Sequence, residues 1–417
     1  MKVKLSIPSV REIQLDVPST ANIKLVKKRL YDRLAIEPEL TSILYDGKRI
    51  DDDCRLSRLD VRKPLIVDYI WARQLILWGQ EGQKRLREAT ALVAGAGAIG
   101  NEVAKNLAML GIKRLLIVDN DVVELSNTNR MIFFERKNQG SNKAEVLARN
   151  ITSKFPHVEA LAWTGALESL PLEHLLNVDV IVCGLDNVVS RIYLAQMSRR
   201  YSIPMVDGGI VGYQGRVQVY APPDMPCPLC TFPSVDYGRI AGLRNPCDGP
   251  VEETKVPSLP TTISLVSSIQ GQEAAKLIMG YRYYSKSGAW PKETGEPLKD
   301  VLMVDLRYNR YSLLKMNRNK NCLVCGGQGV ARETVPILTI PIPRLRDSTS
   351  RLYQTVAKEM KVTNRNVAIF RQKGNKTLKV EKGRSFRRLG LRTRSILTVV
   401  AQKGSDYTEA VVKLSAA

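Results

Sequence analysis

Ala91-Leu92-Val93-Ala94-Gly95-Ala96-Gly97-Ala98-Ile99-Gly100 is a short apolar run that ends in glycines and opens into a helical stretch, Val103-Ala104-Lys105-Asn106-Leu107. Four apolar residues bounded by glycine suit a buried strand. The G-x-G-x-x-G after it permits a tight turn and a close approach of backbone to phosphate, at a helix N-terminus that favours negative charge. Two more apolar runs follow the same plan: Leu115-Leu116-Ile117-Val118, ending at Asp119, and Val178-Asp179-Val180-Ile181-Val182, ending at Cys183-Gly184. Buried strands joined by helices predict an α/β block, residues 70–332, with a mostly parallel sheet and its ligands at the C-terminal ends of the strands.

Asp119 lies about 20 residues beyond the glycines, where a carboxylate holds ribose hydroxyls in Rossmann-like nucleotide sites. That much fits any dinucleotide enzyme, a hydride-transfer enzyme included. Arg73, Arg130 and Lys143 change the reading, because three cations flank the glycine loop. Hydride transfer has no need of them. Attack on a triphosphate does, since charge must be stabilised as pyrophosphate leaves. Asp186, just past the strand at 178–182, is placed to hold Mg²⁺ beside the phosphates.

This set resembles the adenylation domain of ubiquitin-activating enzymes and of their bacterial relatives, the molybdopterin-synthase and thiamine-pathway adenylyltransferases. The matching residues are Arg73-Gln74, the glycine loop, Asp119-x-Asp121, Ser126-Asn127-x-x-Arg130, Lys143 and Asp186-Asn187, and the likeness covers most of residues 70–280. It implies an ATP site in which Gly95, Gly97 and Gly100 form the cradle and Asp119 binds ribose. Asp121 and Asn127 join the nucleotide set, Arg130 and Lys143 bind phosphates, and Asp186 binds Mg²⁺. It also implies a homodimer, in which Arg73 reaches the partner subunit's nucleotide. One departure stands out: the family usually has Leu-x-Arg-Gln after Ser-Asn, whereas this chain has Thr128-Asn129-Arg130-Met131, keeping the arginine and losing the glutamine.

The chain has seven cysteines. Cys227-Pro228-Leu229-Cys230 and Cys322-Leu323-Val324-Cys325 are two C-x-x-C pairs, each suited to two vertices of a tetrahedral Zn²⁺ site. A redox motif would explain one pair but not both. The separation of 92 positions from Cys230 to Cys322 makes the site a clasp across the domain, and the resembling family carries a structural zinc in this arrangement. Cys54 and Cys183 read as inert. Cys247, in Arg244-Asn245-Pro246-Cys247-Asp248-Gly249-Pro250, is a loop cysteine near an arginine, a setting that favours thiolate. The family resemblance implies that Cys247 takes the activated acyl group as a thioester. The alternative is a spare loop thiol.

Residues 1–69 carry two alternating strands, a helical pattern from Ile23 to Leu30, then a strand and turn at Ser42–Arg49 and a last strand at Pro64–Val67. Such an α+β roll, with Tyr45-Asp46-Gly47-Lys48-Arg49-Ile50-Asp51-Asp52-Asp53, resembles a ubiquitin-like (β-grasp) domain. Because the chain runs on through Asp68-Tyr69-Ile70, this block is expected to be a docking or regulatory module rather than a modifier; the alternative is a purely structural appendage. Residues 333–417 repeat the pattern as an expected second ubiquitin-fold domain, the kind that recruits the conjugating enzyme in ubiquitin-activating enzymes.

Composition narrows the classes. Hydrophobic residues make up 44% and charged residues 25%, the balance of a folded chain. No apolar run approaches a membrane span, and Met1–Arg11 lacks a signal-peptide core, so a cytoplasmic protein without membrane contact is expected. Two histidines leave little room for histidine chemistry. The net charge is +22, and residues 333–417 carry +12 of it, from 18 Lys/Arg and 6 Asp/Glu. That surface suits an acidic partner, with nucleic acid the less favoured one; the alternative is a solvated basic face. The leading reading is an ATP-dependent activating enzyme for a ubiquitin-like modifier ending in Gly-Gly, with Cys247 passing the thioester to a conjugating enzyme. The alternative is a sulfur-carrier adenylyltransferase that stops at the adenylate, although no rhodanese-like segment is evident after Arg332. A nonenzymatic scaffold is disfavoured by the intact cation set.

Overall fold

The computed structural model describes residues 1–417 except 8–9, 35, 232–256, 328–333, 343, 374–375, 404–405 and 417. The first block begins with the hairpin β1 (Lys2–Ile7) and β2 (Arg11–Asp16), where Val3, Leu5, Ile7, Ile13 and Leu15 alternate inward. Helix α1 (Ile23–Leu34) buries Ile23, Val26, Leu30 and Leu34 at helical spacing over that face. Strands β3 (Thr41–Tyr45) and β4 (Lys48–Arg49) meet at Asp46-Gly47, whose φ values of 49° and 75° make the two-residue turn that suits strand twist. Strand β5 (Leu65–Tyr69) runs parallel to β1 and completes a sheet of order β2-β1-β5-β3-β4.

Helix α2 (Ala72–Glu88) leads into the central block. There follow β6 (Thr90–Ala94), α3 (Ala98–Leu110), β7 (Arg114–Val118), α4 (Lys143–Lys154), β8 (Glu159–Trp163), α5 (Leu172–Leu175), β9 (Val180–Cys183), α6 (Val188–Tyr201) and β10 (Met205–Val211). The antiparallel extension is β11 (Gln214–Tyr220), β12 (Val301–Asp305) and β13 (Arg310–Leu314), with α7 (Pro260–Ser287) between β11 and β12. The sheet order is β13-β12-β11-β10-β9-β6-β7-β8, and β10, β9, β6, β7 and β8 are parallel. Every residue of β6 is buried, because apolar layers cover both faces. From β6 the chain winds outward to β7 and β8, then crosses back to β9. The switch point, where a crevice opens, therefore lies between β6 and β9.

The third block is again α+β: β14 (Ile337–Ile342), α8 (Thr349–Glu359), β15 (Val367–Lys373), β16 (Lys376–Lys379), β17 (Ile396–Lys403) and β18 (Asp406–Ala416). Its order, β14-β18-β17-β15-β16, departs from that of the first block. One strand precedes the helix instead of a hairpin, and the long hairpin β17–β18 closes the sheet with β18 parallel to β14. The expected repeat of the first pattern thus holds for the helix between strands and not for strand order.

Both small blocks sit at the N-terminal ends of the central strands. Glu37 accepts from Arg87 Nε at 2.6 Å and from Tyr69 Oη at 2.9 Å, while Trp71 Nε1 donates to Met109 O at 2.8 Å. On the other flank, Ile396 and Val411 join the core beside Leu175 and Val178, and Arg200 pairs with Glu409 at 2.6 Å. The opposite, C-terminal edge of the parallel strands is left to the glycine loop.

Candidate active site

Gly95, with φ 92°, adopts a conformation that side chains resist. Gly100 is required for a different reason, since a Cβ there would lie 1.9 Å from Gly95 O. Gly97 caps α3 and faces open space, with nothing within 4 Å of the place a Cβ would occupy. The loop is thus a backbone cradle with room above it, at the positive end of a helix dipole. Across the crevice stands Gly184 at the end of β9: a Cβ on Gly95 would be 3.2 Å from Gly184 O.

Asp119 ends β7 and closes the cradle from the other side. Its Oδ2 accepts from Ala96 N at 2.6 Å and its Oδ1 from Asp121 N at 2.8 Å. Burial pushes its carboxyl above the usual range, and those two amides oppose the rise. Asp121 Oδ2 in turn takes Lys143 Nζ at 2.8 Å, so two residues expected to serve the nucleotide separately are paired with each other. Lys143 begins α4, which Asn142 caps by accepting from Glu145 N. Asn127 is buried and caps its own turn, its Oδ1 accepting from Glu124 N at 2.9 Å. Arg130 donates to Ser126 O and to Asn129 Oδ1. Asp186 is exposed on the Gly184–Asn187 turn, next to Asn187, which caps α6.

Arg73 is exposed near the start of α2. Trp71, two residues earlier, is held at the C-terminal end of α3, while the glycine loop opens its N-terminal end. The thirteen residues of α3 separate these by about 20 Å. Arg73 is therefore not gathered into its own chain's crevice with the other expected residues. Cys247 lies outside the described residues.

Several residues that hold the crevice together are absent from the expected set. Asn101 is fully buried, donates to Ala96 O at 2.9 Å and accepts from Phe133 N at 3.1 Å, tying the loop to the segment after Arg130. Asp207, also fully buried, accepts from Arg191 Nη1 and, at 2.7 Å, from Arg216 Nη2. Arg191 further donates to Leu185 O and to Gly208 O, so it bolts the Asp186 turn to β10. Gln270 donates to Cys183 O at 3.0 Å from beneath. The readable signal is Asp207 itself, a carboxylate inside an apolar strand. Cys183 is inert as expected, because burial pushes its thiol up to about 12.

The two C-x-x-C pairs converge although they lie far apart in sequence. Sγ–Sγ distances are 3.6 Å for Cys227–Cys322, 3.4 Å for Cys230–Cys325 and 3.9 Å for Cys227–Cys230, and all four sulfurs lie within 4.8 Å of one another. A tetrahedron of sulfurs about 2.3 Å from Zn²⁺ has edges of about 3.8 Å, so the donor set fits that ion. Contacts with the Cys230 and Cys322 thiols drive the Cys227 thiol above its ordinary range.

Residues 71–324 match the ThiF family model. The chain belongs to the ThiF family. That match falls inside the central block and takes in the whole crevice. A Thermus thermophilus relative, named a sulfur carrier protein adenylyltransferase, is 30% identical over 273 residues, spanning 63% of this chain and 92% of its own. The Nedd8-activating enzyme E1 catalytic subunit of Drosophila melanogaster is 33% identical over 163 residues, 35% of this chain and 36% of that protein. Among solved structures, E. coli MccB with succinimide aligns with a TM-score of 0.50 at 20% identity, over 62% of this chain and 75% of that one, a likeness of fold alone. No helix among the described residues is long and apolar enough to cross a membrane.

Proposed function

We propose that this ThiF-family chain uses ATP to adenylate the C-terminal glycine carboxylate of a ubiquitin-like protein. The observation that carries the reading is the switch-point crevice, where a glycine cradle faces Asp119, Lys143 and the Asp186 turn. The names of the relatives agree, since they describe adenylyltransferase and modifier-activating proteins. The carboxylate attacks the α-phosphate and pyrophosphate leaves. Backbone amides of 95–100 receive phosphate, Lys143 and Arg130 balance the developing charge, and Asp119 holds ribose through lone pairs that its two amide contacts leave free. Asp186 would hold Mg²⁺, which when bound neutralises phosphate charge. The four cysteines would hold Zn²⁺, which closes the fold and takes no part in the reaction.

Cys247 is our candidate for the next step, attack of its thiolate on the acyl adenylate with release of AMP, followed by transfer to a conjugating enzyme that meets the basic C-terminal block. A second reading stops at the adenylate of a sulfur carrier; the relative matched over 92% of its length favours it. With Mg-ATP and a Gly-Gly-ended ubiquitin-like protein, nonreducing gels should show a thiol-sensitive adduct that Cys247→Ala abolishes while ATP–pyrophosphate exchange persists. Exchange without an adduct would select the second reading. Absence of exchange with every glycine-ended carrier would sink both.

The distance between Arg73 and its own crevice supports a homodimer in which Arg73 serves the partner's site. Arg73→Ala and Asp186→Ala should each lower exchange by about a hundredfold. Mixed as heterodimers, they should regain up to half of wild-type activity per hybrid, because one site then has both residues. No recovery on mixing would exclude Arg73 from the partner's site.

A further inference from the structure

We propose that Gly209 and Arg216 form the slot that receives the substrate's terminal glycine carboxylate, with Arg216 as its positioning cation. This rests on the reading above that the substrate is a glycine-ended carboxylate. Gly209 lies on β10, next to the Asp186-bearing turn that Arg191 ties to that strand. A Cβ on Gly209 would sit 3.5 Å from Arg191 Nη2 and 3.5 Å from Arg216 Nε, in ordinary contact with both guanidinium groups and with no nearer atom. The missing side chain therefore leaves a gap walled by two cations. Gly208, on the opposite face, has no such gap, since a Cβ there would be 2.3 Å from Gln270. The half-exposed glycine is the one that opens outward.

Charge and donor use favour an anion in this gap. Asp207 carries one negative charge between two arginines. Arg191 spends its donors on Asp207, Leu185 O and Gly208 O. Arg216 gives Nη2 to Asp207, and among the described residues its Nε and Nη1 have no partner. Asp186, the other nearby carboxylate, acts on Arg191 from the nucleotide side and is assigned above to Mg²⁺. A chain end without side chains passes along a glycine floor where a bulkier residue would strike the guanidinium walls. A free carboxylate matches the planar fork of Arg216. Phosphate would match it too, and for that reason the test separates the two ligands.

Arg216→Gln and Gly209→Val should each raise KM for the carrier in ATP–pyrophosphate exchange about ten- to a hundredfold, with KM for ATP unchanged. Gly209→Val fills the slot without removing any charged member of the ion cluster, and valine suits a strand, so a folding defect in Arg216→Gln would not hide the result. An unchanged carrier KM, or an equal rise in KM for ATP, would overturn the slot. Calorimetry without ATP tests the slot apart from the reaction. A synthetic peptide ending in Gly-Gly should bind the wild-type chain more tightly as the free acid than as the amide, and Arg216→Gln should erase the difference. Equal binding of acid and amide by the wild type would defeat the slot even where exchange is robust.

Discussion

Chelating the metal that the four cysteines would hold, or changing Cys322 to Ser, should lower the melting temperature by about 10 °C or more. The clasp joins Cys230 to Cys322 across 92 positions of chain. Closing a loop of that size by a cross-link stabilises by about 4–5 kcal/mol in the chain-entropy account. For a domain this large each kcal/mol shifts the midpoint by about 2–4 °C. The four sulfurs are already gathered within 4.8 Å, so one cation would satisfy four thiolates that would otherwise repel. The local turns are built to hold them: Cys230 N donates to Cys227 O at 2.9 Å, Gly326 N to Cys322 O at 2.9 Å, and Val324 N to Cys322 Sγ at 3.4 Å. A Cβ on Gly326 would come within 2.5 Å of Cys322 O, so the knuckle tolerates only glycine there.

Two measurements check this. Elemental analysis of the purified chain should give one zinc per chain, and calorimetric scans before and after chelation should show the drop. A metal-free preparation that melts within a degree of the native one would remove zinc from the fold. Because the clasp lies outside the crevice, ATP–pyrophosphate exchange measured at low temperature should survive Cys322→Ser far better than Asp186→Ala.

How far the sequence reaches depends on whether a residue acts through its neighbours in the chain. The β6–glycine–α3 unit is local, and it is found where the pattern places it. So are β1, β2, α1 and the Asp46-Gly47 turn, whose spacing and glycine speak for themselves. The cysteine pairs are legible because each C-x-x-C is itself half of a site. Strand β8, Glu159-Ala160-Leu161-Ala162-Trp163, escapes the pattern: as the sheet's exposed edge it has no fully buried residue and no clear period. Strand β18 escapes it because it opens on Asp406-Tyr407-Thr408-Glu409 and turns apolar only later, which also hides the changed strand order of the third block. The Asp121–Lys143 pair and the Arg191–Asp207–Arg216 cluster join residues 9 to 22 positions apart. Singly, such residues read as surface charges, and only the parallel sheet brings α4 beside β7 and α6 beside β10.

Asp207→Ala should destabilise the chain by about 3–5 kcal/mol, the range for breaking a buried ion pair by removing one partner. Asp207 is fully buried, and Arg191 beside it is nearly so. Without the carboxylate, two guanidinium groups face each other across an apolar strand. Asp207→Asn keeps the shape and one acceptor but loses the charge, so it should cost less than alanine and still more than a surface change. The decisive comparison is a double variant, Arg191→Met with Asp207→Leu. Replacing a buried pair by apolar residues of similar volume is often neutral or better, so urea denaturation should show the double variant recovering most of what Asp207→Ala loses. Its exchange activity should stay low, because Arg191 no longer ties Leu185 O, and with it the Asp186 turn, to β10. Stability restored without activity would separate the cluster's part in folding from its part in placing Asp186. Recovery of both would make Arg191 a packing residue with no hold on the turn.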